Sequence, residues 1–171
     1  RRAAGRPPAL RLAAAPDEIE VVDRIAGPYR AVPDDVVLRR NDGVPAYNLA
    51  VVVDDAAQGI TEVVRGDDLL SSTPRQILVG RLLGLPAPTY AHVPLVVAPD
   101  GSRLAKRHGA VTLRELTAAG WDPDSVRSLL AHSLGLAEPG EPVTAATLIG
   151  RFDLASLPTA PWVLNPAALG R

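Results

Sequence analysis

Three cations, Arg103, Lys106 and Arg107, with His108 as a fourth when protonated, crowd the segment Gly101-Ser102-Arg103-Leu104-Ala105-Lys106-Arg107-His108. Glycine at its head lets a backbone approach a ligand closely, and a lysine on its four-carbon stem is a mobile point charge. Set between a strand and a helix, such a segment suits polyphosphate. The competing reading is a solvated basic turn, which is what most charge runs are. Arg65 points at a smaller anion. It closes an apolar run beside Gly66, where a guanidinium is placed for a bidentate contact with a carboxylate. Tyr47 opens another apolar run, where its hydroxyl can bond a ligand at the edge of a sheet. The alternative there is a core tyrosine with its hydroxyl at the rim. Asp67 and Asp68 suit an amino group or ribose hydroxyls, or they simply charge the start of the next helix. His92, just ahead of Val93-Pro94-Leu95, reads as a packed strand-edge histidine rather than a catalytic one.

These residues need elements to hold them. Residues 18–25 alternate loosely enough for a strand, with Gly27-Pro28 as its turn. Val36 to Arg40 is a short apolar run stopped by Asn41-Asp42-Gly43. The run from Ala46 to Val53 is apolar and β-branched, and predicts a strand buried on both faces. Ile60 to Val64 predicts a second strand, ending at Arg65. A helix follows, capped by Ser72 or Thr73 with Pro74 in its first turn. Ile77, Leu78, Leu82 and Leu83 form its apolar face, and Gly84 ends it. A strand over residues 92–98 then leads through Pro99-Asp100-Gly101 into the basic loop. Helices are predicted for residues 112–119, 122–134 (Asp122 as cap, Pro123 first) and 144–152. Strands first and helices last predict an α/β fold: half of a Rossmann-like nucleotide-binding sheet followed by a small helical subdomain. The divisions expected are 1–33 as a lead-in, 34–110 as the sheet half with the basic loop, and 111–171 as the helical subdomain.

Composition narrows the functions available. A chain of 171 residues with 47% hydrophobic and 22% charged residues can bury an ordinary core under an ordinary surface. A formal net charge of −1 excludes a strongly basic chain that grips nucleic acid by electrostatics alone, while leaving room for a local RNA contact. With no cysteine, this chain forms no disulfide and no cysteine-ligated zinc site, and its three histidines lack metal-ligand spacing. No apolar run reaches membrane-spanning length and no signal-peptide pattern is present, so the cytoplasm is the expected compartment. The start at Arg1, in the middle of a basic, proline-containing stretch, reads as part of a longer protein.

In order along the chain, residues 42–55 (with Ala46-Tyr47-Asn48-Leu49-Ala50-Val51-Val52-Val53-Asp54-Asp55), residues 59–70 (with Val63-Val64-Arg65-Gly66-Asp67-Asp68), Ser71-Ser72-Thr73-Pro74-Arg75-Gln76 and Ala91-His92-Val93-Pro94-Leu95 resemble the second half of the catalytic domain of glutamyl-tRNA synthetases. The basic loop falls where class I synthetases carry their KMSKS-type signature. The resemblance covers about residues 17–136, and several motifs in order are more specific than any one. It implies that Tyr47 and Arg65 bind glutamate and that Lys106, matching the signature's second lysine, contacts ATP. Arg103 stands at the first lysine position and Ala105 replaces the usual serine.

The resemblance further implies ATP as substrate with Mg²⁺ as its counterion, and phosphate binding by Lys106, Arg103 and Arg107. No residue here need act as a nucleophile. A positioned cation facing the charge that develops on the α-phosphate and pyrophosphate is worth about 3 kcal/mol in the transition state. The HIGH-type motif and the zinc site of many relatives belong to sequence ahead of this chain, so the chain by itself is expected not to activate glutamate. The ending, Leu157-Pro158-Thr159-Ala160-Pro161-Trp162-Val163-Leu164-Asn165-Pro166, resembles that of the shorter branch, the glutamyl-Q tRNA(Asp) synthetases. That branch attaches glutamate to the queuosine base of tRNA(Asp). The alternatives are a glutamyl-tRNA synthetase cut short, charging tRNA(Glu), and an inactive RNA-binding or regulatory relative. The partners implied are glutamate, ATP and a tRNA, with no membrane and with a monomer favoured.

Overall fold

The computed structural model describes residues 7–14, 17–104, 112–166 and 169. They cluster into two compact units, Arg1–Val93 and Pro94–Arg171.

In the first unit, β1 (Leu10–Leu12) pairs antiparallel with β4 (Val36–Arg39). A hairpin joins β2 (Ile19–Asp23) to β3 (Gly27–Ala31). Successive strand residues point to opposite faces, so β2 buries Ile19, Val21 and Asp23 and exposes the residues between. The chain turns before Gly27 rather than at Gly27-Pro28. The Asp23 carboxylate accepts the backbone N–H groups of Ile25 and Ala26, which curls residues 24–26 and lets Gly27, at φ +78°, begin the return strand.

The expectation of a buried strand over residues 46–53 is overturned: Tyr47–Ala57 is a helix, α1. Periodicity cannot separate a short buried strand from a helix in a run where Asn48 is the one strongly polar residue. The arbitration comes from length and packing. The helical stretch runs on through Asp54, which is exposed, and Asp55, which is half-buried. α1 lies against α2 (Thr73–Leu82), with a Val52 methyl 3.6 Å from where a Gly80 side chain would begin. Asn48 and Gln76 tie the two helices by a side-chain hydrogen bond of 3.1 Å.

β5 (Glu62–Gly66), a 3₁₀ segment (Asp67–Ser72), α2 and β6 (Thr89–Val93) make a strand–helix–strand unit. Its two strands are parallel, as a helical crossover requires. α2 buries Thr73, Pro74, Gln76, Ile77, Val79 and Gly80, so more than one of its faces is covered. Leu82 and Leu83, expected on its apolar face, are exposed because they sit at the helix end, beyond the buried turns. Ile19, Val21, Ile77 and Tyr90 form the buried cluster where the hairpin, the helix and the parallel pair meet. Gly84 ends α2 at φ +67°, as read from the sequence.

The second unit opens on β7 (Val96–Val97), which pairs parallel with β8 (Trp162–Val163). The single strand expected over residues 92–98 is therefore two. Pro94, lacking an N–H, breaks the ladder between them. β8 carries no alternation in sequence and was not anticipated. The three helices fall where expected: α3 (Leu113–Ala118), α4 (Pro123–Ser133) and α5 (Ala145–Arg151). Each starts at a side-chain cap, Thr112, Asp122 or Thr144, that accepts a backbone N–H three residues on. At Thr112 the cap is reciprocal, since Glu115 in turn accepts the Thr112 N–H.

Candidate active site

Arg65 and His92 are paired across the parallel ladder of β5 and β6, so their side chains leave the same face of the sheet. Tyr90, two residues before His92, shares that face. Its ring is stacked on the imidazole at 6.1 Å between centroids, and the Arg65 guanidinium lies 5.5 Å above the Tyr90 ring. Burial pushes the Tyr90 hydroxyl above its ordinary pKa, with the nearby Arg65 charge working against the shift.

The guanidinium is held along one edge. Arg65 Nε donates to His92 Nε2 at 3.0 Å, and Nη2 donates to the Thr73 hydroxyl at 2.8 Å, with a longer contact of 3.5 Å to the Leu69 carbonyl. Thr73 is fully buried at the start of α2. Because His92 Nε2 accepts, the ring hydrogen sits on Nδ1 and is donated to Asp23 Oδ2 at 2.6 Å. Both side chains of that pair are shut off from solvent.

Asp23 takes the third inward position of β2, an acid in a row otherwise filled by Ile19 and Val21. Its Oδ1 accepts the N–H groups of Ile25, Ala26 and His92 at 2.8–3.0 Å, and its Oδ2 the imidazole. Burial alone would raise its pKa. The bonds from the His92 backbone and ring, and from Ala26 and Ile25, outweigh that and hold the carboxyl below its ordinary value. A lowered folded-state pKa stabilises the fold above the unfolded-state pKa, and that contribution disappears as pH falls through the folded-state value. Asp23→Asn is therefore expected to destabilise the protein by about 2–4 kcal/mol near neutral pH. The difference from the parent should shrink progressively below the ordinary carboxylate range. Urea unfolding of both proteins at neutral and acid pH checks this, and a pH-independent difference would be the contrary result.

Tyr47 begins α1, exposed, and no hydrogen bond joins it to Arg65. Asp67 and Asp68 open the 3₁₀ segment directly after Arg65 and Gly66. Arg103, in the second unit, stands in a tight hairpin opposite Val97. There Ala98 bonds the Ser102 carbonyl, and Gly101 turns the chain at φ +76°. Lys106, Arg107 and His108, with Ala105, lie outside the described residues. The sequence reading missed Asp23, Thr73 and Tyr90. A partial signal existed for the first: counting every second residue from Ile19 through Val21 points Asp23 inward, although Val22 blurs the alternation.

A parallel strand–helix–strand unit with a half-buried arginine near the end of its first strand, followed by a unit of capped helices, is an α/β arrangement, and in such folds ligands bind beyond the carboxyl ends of the strands. The chain belongs to the family of class I tRNA synthetases (E and Q), catalytic domain, which it matches over residues 1–169. It is therefore a member of a family of aminoacyl-tRNA ligases.

It is 59% identical to a glutamyl-Q tRNA(Asp) synthetase of Nocardia farcinica, over 99% of this chain and 53% of that protein. It is 54% identical to a glutamyl-Q tRNA(Asp) synthetase of Symbiobacterium thermophilum, over 94% of this chain and 51% of that protein. A glutamate–tRNA ligase of Nitrosospira multiformis is 44% identical over 80% of this chain and 29% of its own length. Among solved structures, a glutamate tRNA ligase of Elizabethkingia meningosepticum in complex with its amino acid superimposes with a TM-score of 0.78. That match has 25% identity and covers 94% of this chain and 37% of that one. The chain spans about half the length of the two glutamyl-Q relatives.

Proposed function

We propose that the protein to which this chain belongs activates glutamate with ATP and passes it to the queuosine base of tRNA(Asp). In the first step a glutamate carboxylate oxygen attacks the α-phosphorus of ATP. A new P–O bond forms, the bond to the β,γ-phosphates breaks, and glutamyl-adenylate and pyrophosphate result. In the second step a hydroxyl of the modified base attacks the activated carbonyl and AMP leaves. Residues 34–110 serve as the second half of the nucleotide-binding domain, residues 111–171 as its helical subdomain, and residues 1–33 as the lead-in.

The observation that carries this reading is Arg65, half-buried and fixed along one edge, which offers a pre-oriented cation to a carboxylate. Tyr47 assists in holding glutamate. Lys106, with Arg103 and Arg107, serves to bind the phosphates and to offset the charge that builds as pyrophosphate departs. Mg²⁺ would arrive as the counterion of ATP. Zinc would require ligands from outside this chain, which has no cysteine. Among the described residues no helix is long and apolar enough to cross a membrane. We place the enzyme in the cytoplasm, acting as a monomer.

The names of the relatives at 59% and 54% identity favour the glutamyl-Q reading, and the 44% identical ligase keeps charging of tRNA(Glu) as the second reading. Pyrophosphate exchange by the full-length protein, run without tRNA and with glutamate, glutamine or aspartate, tests the first step. Exchange with glutamate alone is expected. No exchange with any of the three would support an inactive relative.

A further inference from the structure

We propose that Asp23 and His92 are positioning residues for glutamate, acting through Arg65. The inference rests on the reading that Arg65 receives a glutamate carboxylate. A guanidinium presents five N–H donors in a rigid plane, and the Nε–H lies on the same edge as one Nη2–H. In this protein that edge is consumed: Nε by His92 and Nη2 by Thr73. The acceptors of the edge are themselves neighbours, with Thr73 Oγ1 and His92 Nε2 only 3.4 Å apart. Among the described residues Nη1 has no acceptor. The plane is thus fixed from behind and its far end is presented forward.

What fixes the edge is the direction of the hydrogen bonds. His92 can accept from Arg65 only while its ring hydrogen is on Nδ1, and the Asp23 carboxylate, 2.6 Å away, keeps it there. Asp23 is in turn immobilised by three backbone N–H groups. The negative charge of Asp23 therefore meets the positive charge of Arg65 through a neutral ring, and both leave water without an uncompensated charge. Three separate elements converge: β2 supplies the acid, β6 the relay and β5 the arginine. Neither Asp23 nor His92 need touch glutamate.

The test is steady-state pyrophosphate exchange by the full-length protein, with KM for glutamate, KM for ATP and kcat measured separately, on Arg65→Ala, His92→Leu, His92→Gln and His92→Asn. Leucine fills the cavity but cannot accept. A glutamine oxygen reaches the place of Nε2, whereas an asparagine amide reaches only the place of Nδ1. The expected result is that His92→Leu raises the glutamate KM at least about tenfold, with ATP KM and kcat within about threefold of the parent. His92→Gln should recover to within about threefold and should outperform His92→Asn. That order inverts what a packing role demands, because an apolar side chain would then serve best.

Should His92→Leu fail to fold, the order of glutamine over asparagine carries the test alone. The proposal is overturned if glutamine and asparagine behave alike, or if the ATP KM moves in step with the glutamate KM. It is also overturned if His92→Leu leaves the glutamate KM unchanged while Arg65→Ala abolishes saturation; then the arginine reading stands without its relay. An unchanged glutamate KM in Arg65→Ala removes the reading itself, and the inference with it.

Discussion

Arg65→Ala in the full-length protein is expected to lower kcat/KM for glutamate by about 10²–10³-fold, the range for truncating one partner of a desolvated, hydrogen-bonded charge pair. Two losses add. The carboxylate of glutamate loses its cation, and inside the protein His92 Nε2 and the Thr73 hydroxyl lose their donors. The second loss is structural and falls on the stability of the first unit, so the kinetic effect must be read beside an unfolding curve. Arg65→Lys separates the two. An ammonium keeps the charge but cannot engage His92 and Thr73 while also offering a planar end to the substrate. It should recover stability better than it recovers glutamate affinity. A glutamate KM within threefold of the parent in Arg65→Ala would mean that the carboxylate is received elsewhere.

The second large effect belongs to the basic loop. Lys106→Ala in the full-length protein is expected to slow adenylate formation by about 10²–10³-fold, comparable to removing one preorganised stabiliser of developing charge. Because the charge in question develops as pyrophosphate leaves, the loss should appear in kcat for exchange more than in KM for glutamate. Single-turnover formation of the adenylate checks this, and a change below threefold would mean the loop is not catalytic. Arg103 stands where the signature ordinarily has its first lysine. Within the hairpin Arg103 is aligned opposite Val97, and Ser102 is anchored by bonds to Asp100. That anchoring holds the turn from which Arg103 extends.

The place of Arg65 near the end of a strand was legible, because the β-branched run before it stops at Arg65-Gly66. The capped helices were legible for a similar reason: Thr112, Asp122 and Thr144 each precede a stretch with helical spacing, and each accepts a backbone N–H as its chemistry predicts. The region around Tyr47 was not. Its apolar run is interrupted only at Asn48, which leaves little period to read, and in the fold it coils and packs against α2. Tyr47 moves accordingly, from the mouth of a strand to the exposed first turn of a helix.

The relay behind Arg65 was hidden by distance. Asp23 and His92 are 69 residues apart, and nothing local to either shows that they will meet. Their meeting depends on the hairpin β2–β3 lying beside β6, where Arg24 N–H also bonds the Tyr90 carbonyl at 2.9 Å. His92 reads as a packed histidine in sequence, and it is packed. Its two ring nitrogens give it a second role that burial alone does not reveal.

Transfer of labelled glutamate by the full-length protein, offered tRNA(Asp) with queuosine, tRNA(Asp) without it, and tRNA(Glu), is the most direct measurement. Label on the queuosine-containing tRNA(Asp) alone is the expected result. Label on tRNA(Glu), or on both forms of tRNA(Asp), would contradict it.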